Sequence, residues 1–164
     1  MRRVTGIGGI FFKAKDPVAL RAWYQQHLGI DVQGWGGTSF RWVDANGAAC
    51  NGSTVWSIMP DTTQYYAPST APFMVNYRVA DLHALLAALR AEGCAVDEKV
   101  DESDFGKFGW VMDPEGNRVE LWEPPAGKGS RVGEVARARP PRVARDTARR
   151  RTREERNHRH GSQG

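Results

Sequence analysis

Glu120 is the side chain whose type and position best suit chemistry. It lies in the segment from residue 109 to residue 124, where two apolar runs flank the turn sequence Asp113-Pro-Glu-Gly-Asn117. This pattern predicts a β-hairpin. Because side chains alternate along a strand, Glu120 shares one face with Arg118 and Trp122, and the apolar residues between them take the packing face. We expect Glu120 to be the catalytic residue, a general base in a metal-free reaction.

A structural role for Glu120 is the competing interpretation. Lys13, Arg78 and Arg118 are expected on the same face, so any of them could form an ion pair with the carboxylate. The residues alone leave both roles open.

The cysteines and histidines do not indicate a metal site. Cys50 and Cys94 lie far apart and match no Cys-x-x-Cys spacing. His27 and His83 are expected on helix surfaces, and the other two histidines lie near the C-terminus. We therefore favour no metal and no other cofactor.

The glycines at positions 6, 8 and 9 resemble a nucleotide-binding loop only superficially. They precede and enter a strand instead of following one, and their spacing is not Gly-x-Gly-x-x-Gly. A bend or a close backbone approach in the sheet is the better interpretation.

The elements that position Glu120 begin with a strand from Ile7 to Ala14. Asp16-Pro17 then begins a helix, which Gly29 ends. The periodicity predicts that this helix buries one stripe, made of Leu20, Trp23, Tyr24 and Leu28. Three further strands complete the unit, at residues 31–33, 39–43 and 54–59.

The same order returns after a loop from Pro60 to Pro72. Residues 74–81 match residues 9–16, at an offset of 65 residues. A second helix spans 82–92, and the last hairpin follows. In the final strand the offset between the two repeats is 64 residues. In this alignment Trp56 of the first repeat is equivalent to Glu120 of the second. A repeat of about 60 residues is too long for a solenoid unit and predicts a duplicated module whose two sheets share a core.

The strand Phe73–Asp81, the final hairpin up to Pro124 and the duplicated plan resemble the vicinal oxygen chelate superfamily, which includes glyoxalase I, the bleomycin and fosfomycin resistance proteins and the extradiol dioxygenases. The resemblance implies an α+β fold in which two βαβββ modules form a curved mixed sheet around a pocket, with helices on the outer face. We expect one domain at residues 1–125, with modules at about 4–60 and 72–125.

The resemblance also implies where a metal would bind. In metal-using members, each module supplies one ligand from its first strand, seven residues before the Asp that begins the helix, and one from its last strand. These positions are Gly9, Trp56, Met74 and Glu120 here. Only Glu120 can bind a hard divalent ion, whereas a catalytic site normally needs about three such ligands. A metal-dependent lyase or dioxygenase with ligands from other positions remains the alternative.

The concave face should form an aromatic pocket with a few polar groups, which is typical of a small-molecule site. We expect substrate binding by Phe11, Arg41, Trp56, Met74, Asn76, Trp110 and Trp122. Tyr65 and Tyr66, together with Phe105 and Phe108, are candidates for a rim over it. The sequence thus predicts a protein that binds or converts a small organic molecule. A pure drug- or metabolite-sequestering protein is a further alternative.

The charge is distributed unevenly along the chain. Residues 1–125 contain 11 Lys and Arg against 15 Asp and Glu, a net charge of −4, whereas residues 126–164 contain 12 against 4, a net charge of +8. This Arg-rich tail is too polar to fold alone and is expected to be disordered. Nucleic-acid binding through it is only weakly supported, because no aromatic residue interleaves the arginines.

No apolar run is long enough for a membrane span, and the run from Ile7 to Phe12 is too short for a signal peptide. We expect a cytoplasmic protein without a membrane partner. The resemblance implies a homodimer.

Overall fold

A computed structural model describes residues 3–126 of the chain. The strands are β1 (Val4–Ala14), β2 (Gly37–Val43), β3 (Ala49–Pro60), β4 (Phe73–Val79), β5 (Ala95–Ser103), β6 (Gly106–Met112) and β7 (Arg118–Glu123), and the helices are α1 (Pro17–Leu28) and α2 (Leu82–Ala91). The tail predicted at residues 126–164 lies outside the described residues except for Ala126.

The strands form one mixed sheet in the order β2-β3-β1-β4-β7-β6-β5. At its centre β1 and β4 pair antiparallel, and each also pairs parallel with the last strand of its own unit, β3 or β7. The two sequence repeats therefore meet along their first strands. The predicted α+β fold with a curved mixed sheet is confirmed.

Helix α1 begins and ends where the sequence predicts, and α2 begins where predicted and ends at Ala91, one residue before the predicted end. The side chain of Asp16 accepts a hydrogen bond from the Ala19 N–H (2.9 Å) at the start of α1, and Asp81 does the same for Ala84 (3.0 Å) at the start of α2. Gly29 ends α1 in the left-handed conformation, at φ 64°. No helix within residues 3–126 is long and apolar enough to cross a membrane.

The helices lie on one face of the sheet, called the helix face below. On this face α2 packs its leucines against β4 and β7 in a buried cluster made of Val79, Leu82, Leu85, Leu86 and Leu121. The opposite face carries Asn76 and Glu120 and is called the concave face. The buried core of the second unit thus packs against the helix face of β7, the strand that carries Glu120 on its concave face.

The predicted burial of the α1 stripe is wrong. Leu28 is 59% exposed and Trp23 is 49% exposed, and no residue of α1 is fully buried. Leu20, Arg21 and Tyr24 are half-buried, and the Tyr24 ring packs against the sheet, 5.0 Å from the ring of Trp56 and 6.0 Å from that of Phe12. Helical periodicity identifies the face that points toward the sheet, but the amount of sheet beneath it decides how much of that face is covered.

The strand predicted at residues 31–33 is also wrong. This segment closes a turn, in which the Gln33 N–H donates to the Gly37 carbonyl (2.8 Å) and the Gly36 N–H donates to the Gln33 carbonyl (2.9 Å). Gly36 permits the turn because its φ of 95° lies in the left-handed region. The first unit is therefore βαββ, and β2 is an edge strand.

The register between strands corrects the alignment of the repeats. In the second unit Asn76 pairs with Glu120, and in the first unit the equivalent residue Phe11 pairs with Ser57. The counterpart of Glu120 is therefore Ser57, and the alignment with Trp56 is wrong by one residue. Such a shift reverses the face of every side chain on a strand. Trp56 consequently lies on the helix face, against Phe12 and Tyr24.

Candidate functional site

Glu120 lies at the middle of β7 and is almost completely buried, with 1% of its surface exposed. Its two neighbours across the sheet are Asn76 on β4 and Trp110 on β6. Asn76 Nδ2 donates a hydrogen bond to Glu120 Oε1 (2.8 Å), and Trp110 Nε1 donates to Oε2 (2.9 Å). The two strands that flank β7 thus each supply one neutral N–H donor, and each donor binds one oxygen of the carboxylate.

Tyr65 supplies another donor to the carboxylate, from outside the sheet. Its hydroxyl donates to Glu120 Oε2. Tyr65 belongs to residues 61–72, which connect β3 to β4 and cross the concave face. We call this connection the cover segment. Hydrogen bonds to an ionised acceptor are stronger than those between neutral groups, so these donors stabilise the charged carboxylate in a buried place.

The aromatic side chains of the concave face pack together under the cover segment. Their buried centre, called the concave cluster, consists of Tyr66, Met74, Phe108, Trp110 and Trp122. The expectation that Tyr66 and Phe108 form a rim is wrong, because Tyr66 has no exposed surface and Phe108 stacks on Trp122 with centroids 6.3 Å apart. Aromatic side chains and Met74 thus occupy the centre of the concave face.

Burial raises the pKa of the Tyr66 phenol, and the charge of Glu120 raises that pKa further. The phenol therefore keeps its proton well above neutral pH and can act as a hydrogen-bond donor. Within residues 3–126 its hydroxyl has no partner, and neither has Asn76 Oδ1. An unsatisfied buried polar group costs about 1–3 kcal/mol, so both atoms mark places where a ligand or water would gain a hydrogen bond.

Gly8 makes room for this arrangement. A Cβ atom at position 8 would lie 2.2 Å from Asn76 Oδ1 and 3.0 Å from Trp122 Cε3. Only glycine therefore lets the Asn76 amide lie over β1 while it donates to Glu120. The sequence indicated a close backbone approach in this glycine run, but it did not identify the residue that approaches.

The structure gathers most of the predicted site residues around the carboxylate. Phe11 packs against the concave cluster, to which Met74, Trp110 and Trp122 belong. Two predicted residues lie elsewhere. Trp56 is on the helix face, and Arg41 is exposed on the edge strand β2, where it pairs with Ser53. Tyr65 was foreseen only as a rim residue, because nothing in the loop sequence fixes which side chain turns inward.

The cations that were candidates for an ion pair with Glu120 have contacts of other kinds. Arg118 Nη2 lies 2.8 Å from Asp97 Oδ2, and its guanidinium lies 5.0 Å from the Trp110 ring centroid. Lys13 Nζ lies 5.1 Å from the Tyr66 ring centroid, and Arg78 Nη1 donates to the Asn51 carbonyl (3.1 Å). Lys13 and Arg118 thus lie over ring faces of the concave cluster, where cation–π attraction is favourable.

Comparison with protein-family models matches residues 9–122, more than half of the chain, to the glyoxalase-like domain. The chain belongs to this glyoxalase-like family. The resemblance to the vicinal oxygen chelate superfamily is confirmed with it. Comparison with functionally curated proteins gives no match.

Solved structures similar to this glyoxalase-like chain include methylmalonyl-CoA epimerases. One from Mycobacterium tuberculosis has a TM-score of 0.50 at 19% identity, covering 76% of this chain and 91% of its own. A variant from Streptomyces coelicolor, in complex with 2-nitronate-propionyl-CoA, has a TM-score of 0.56 at 18% identity, covering 77% and 99%. At such identity these structures establish the shared fold.

The metal that many superfamily members use does not fit the residues of this glyoxalase-like chain. The first-strand positions are Gly9, which has no side chain, and Met74, whose thioether is a poor ligand for a hard ion. The Glu120 carboxylate accepts hydrogen bonds from Asn76 Nδ2, Trp110 Nε1 and the Tyr65 hydroxyl, whose hydrogens would repel a cation. Within residues 3–126, no group of three or more His, Cys, Asp or Glu side chains is placed so that it could hold a metal ion.

Proposed function

We propose that this glyoxalase-like protein binds a small organic molecule at Glu120 and converts it without a metal, with Glu120 as the general base. The observation that carries the proposal is the buried carboxylate, held by Asn76 and Trp110 from two neighbouring strands and reached by Tyr65 from the cover segment. The strand donors orient both oxygens. An ionised carboxylate accepts hydrogen bonds along about four lone-pair directions. The Tyr65 hydroxyl takes one of these directions on Oε2, and a ligand hydroxyl could take the same one.

The chemistry that this arrangement supports is transfer of a proton from the ligand to Glu120. A general base must come within hydrogen-bond distance of the proton that it removes, and Glu120 meets this condition for a group that replaces the Tyr65 hydroxyl. Tyr66 keeps its own proton and could then donate a hydrogen bond to the oxygen on which charge develops. Conversion of this kind needs only side chains of the chain itself.

Sequestration without turnover is the second candidate. The aromatic composition of the concave cluster favours it, because stacking on Trp110 or Trp122 binds flat molecules without any chemistry. Both candidates use the same site. Product formation during incubation with a bound molecule distinguishes conversion from sequestration.

A screen of small molecules tests the proposal. It should contain aromatic compounds, hydroxy and keto acids and short acyl thioesters, the last because neighbouring structures hold acyl-CoA ligands. We expect thermal-shift hits whose affinity falls at least about tenfold in Glu120→Gln, because the amide loses the charged acceptor. Glu115→Gln is the matched control, since Glu115 is exposed in the turn between β6 and β7. Hits that bind Glu120→Gln as tightly as wild type contradict the proposal.

The homodimer also remains a proposal. Four apolar side chains lie exposed on the adjacent strands β1 and β4, namely Val4 (37%), Ile7 (44%), Ile10 (40%) and Phe73 (43%). A contiguous apolar patch on a folded protein is typical of an interaction surface. We expect sedimentation velocity to show a dimer at micromolar concentration and a monomer for Ile10→Lys. A monomeric wild-type protein would contradict this expectation.

A further inference from the structure

Tyr65 differs from Asn76 and Trp110, which also donate to Glu120, in its position in the chain and in its burial. Asn76 and Trp110 belong to the sheet and are 3% and 2% exposed, whereas Tyr65 belongs to the cover segment and is only partly buried. Its ring therefore lies between the carboxylate and the protein surface. We propose that Tyr65 occupies the place of the ligand and that the site takes a phenol-class molecule, whose hydroxyl replaces that of Tyr65 on Glu120. This inference rests on the proposed function.

The surroundings of the Tyr65 ring define what fits in its place. The ring meets Trp110 edge to face, with centroids 6.4 Å apart and an interplanar angle of 88°. It meets Tyr66 at 6.3 Å and 66°. Aromatic pairs prefer such edge-to-face contacts. The site therefore offers two aromatic walls and, at its inner end, the carboxylate acceptor, which together complement a six-membered ring with one hydroxyl group.

The carboxylate also decides the charge of the ligand. Glu120 accepts a hydrogen bond at this position, so the ligand must donate one there. An aromatic carboxylate would place a second negative charge beside Glu120 in a poorly solvated site, where repulsion is strong. Toluene would fit the walls but would leave the position that Tyr65 takes on Oε2 without a donor. The site should thus bind p-cresol more tightly than 4-methylbenzoate or toluene. p-Cresol is the tyrosine side chain with a hydrogen atom in place of Cα.

The exchange requires movement of one side chain and leaves the cover segment in place. Arg118 Nη1 donates to the Ala67 carbonyl, and the Ser69 N–H donates to the Tyr66 carbonyl (2.9 Å). The buried side chains of Thr63 and Tyr66 anchor the same segment. Rotation of the partly exposed Tyr65 side chain toward solvent would vacate its place while these contacts persist. Tyr65 is then an internal competitor, which weakens the binding of every ligand that needs this position.

The test is titration of p-cresol, toluene and 4-methylbenzoate into wild type and Tyr65→Ala by calorimetry. We expect Tyr65→Ala to bind p-cresol at least about tenfold more tightly than wild type does, and at least about tenfold more tightly than it binds toluene or 4-methylbenzoate. Tyr65→Phe keeps the ring and should show no gain. Tyr24→Ala is the matched control, because it removes a tyrosine ring from the helix face, away from Glu120, and should bind p-cresol and toluene with the same affinities as wild type does.

Two results would overturn the inference. In one, Tyr65→Ala binds p-cresol no better than wild type or no better than toluene. In the other, Tyr65→Ala loses the ligands found by the screen, which would make Tyr65 part of the binding surface. If Tyr65→Ala does not fold, the Trp110 indole N–H resonance of wild type decides, since it should shift with saturating p-cresol and not with toluene. Glu120-dependent hits that do not compete with p-cresol would refute this inference and leave the proposed function intact.

Discussion

Replacing Glu120 with alanine is expected to lower the free energy of unfolding by about 3 kcal/mol and to abolish ligand binding. The stability loss arises because Asn76 Nδ2 and Trp110 Nε1 would remain buried without their acceptor, whereas Tyr65 can turn toward water. A buried donor without a partner costs about 1–3 kcal/mol. Urea unfolding followed by tryptophan fluorescence measures the change.

Glu120→Gln and Glu115→Ala make the comparison specific. Glutamine keeps the size of Glu120 but turns an N–H donor toward another donor, so we expect a loss of about 1–2 kcal/mol, smaller than that of the alanine variant. Glu115 is exposed, and its alanine variant should change the unfolding free energy by less than about 0.5 kcal/mol. If Glu120→Ala unfolds at the same urea concentration as wild type, the carboxylate is not the centre of the concave face.

Replacing Gly8 with alanine is expected to destabilise the protein by about 1–3 kcal/mol, in the range of overpacked cores. The added methyl group would lie 2.2 Å from Asn76 Oδ1, so the amide must move away from its position against Glu120. We expect ligand affinity to fall with stability, because the bond from Asn76 orients Oε1. Chemical denaturation and the calorimetric affinity of a screened ligand measure the two effects.

Gly34→Ala is the matched control for Gly8→Ala. Nothing lies within 4 Å of a Cβ atom at position 34, and the backbone there is not left-handed. Alanine at such a position should leave stability unchanged or raise it slightly, by about 0.4–1 kcal/mol, because it restricts the unfolded chain. A Gly8→Ala variant as stable as Gly34→Ala would contradict the prediction, because it would show that a methyl group at position 8 does not displace the Asn76 amide.

The local signals of the sequence predicted much of the fold. The caps at Asp16 and Asp81, the helix end at Gly29 and the hairpin around Asp113 depend on neighbouring residues, and each lies where the pattern placed it. The internal repeat predicted that the two first strands carry equivalent roles, and β1 and β4 pair at the centre of the sheet. Such features need no knowledge of distant contacts.

The errors arose where distant contacts decide. The repeat alignment placed Trp56 one residue out of register, and the error becomes visible only in the pairing of β1 with β3, where Phe11 lies opposite Ser57. The exposure of Leu28 depends on how little sheet lies beneath α1. Local periodicity contains neither kind of information.

The sequence predicted several residues of the candidate site, but it did not predict how their side chains contact one another. Glu120 and Asn76 follow from strand alternation and lie together on the concave face, where Trp110, a further candidate from the sequence, lies beside them. Tyr65 could not be predicted, since the path of a twelve-residue connection over the sheet is set by tertiary contacts such as that of Arg118 with Ala67. The role of Gly8 became visible only with the Asn76 side chain beside it.

The most direct test of Glu120 as the centre of a ligand site is a proton–nitrogen NMR titration of wild type with the tightest molecule from the screen. We predict that the Trp110 indole N–H and the Asn76 side-chain amide shift first and most, because both donate to the carboxylate that the ligand reaches. Trp110→Phe assigns the indole signal. Shifts confined to residues of the helix face, such as Tyr24 and Trp56, with Trp110 and Asn76 unchanged at saturation, would contradict the account.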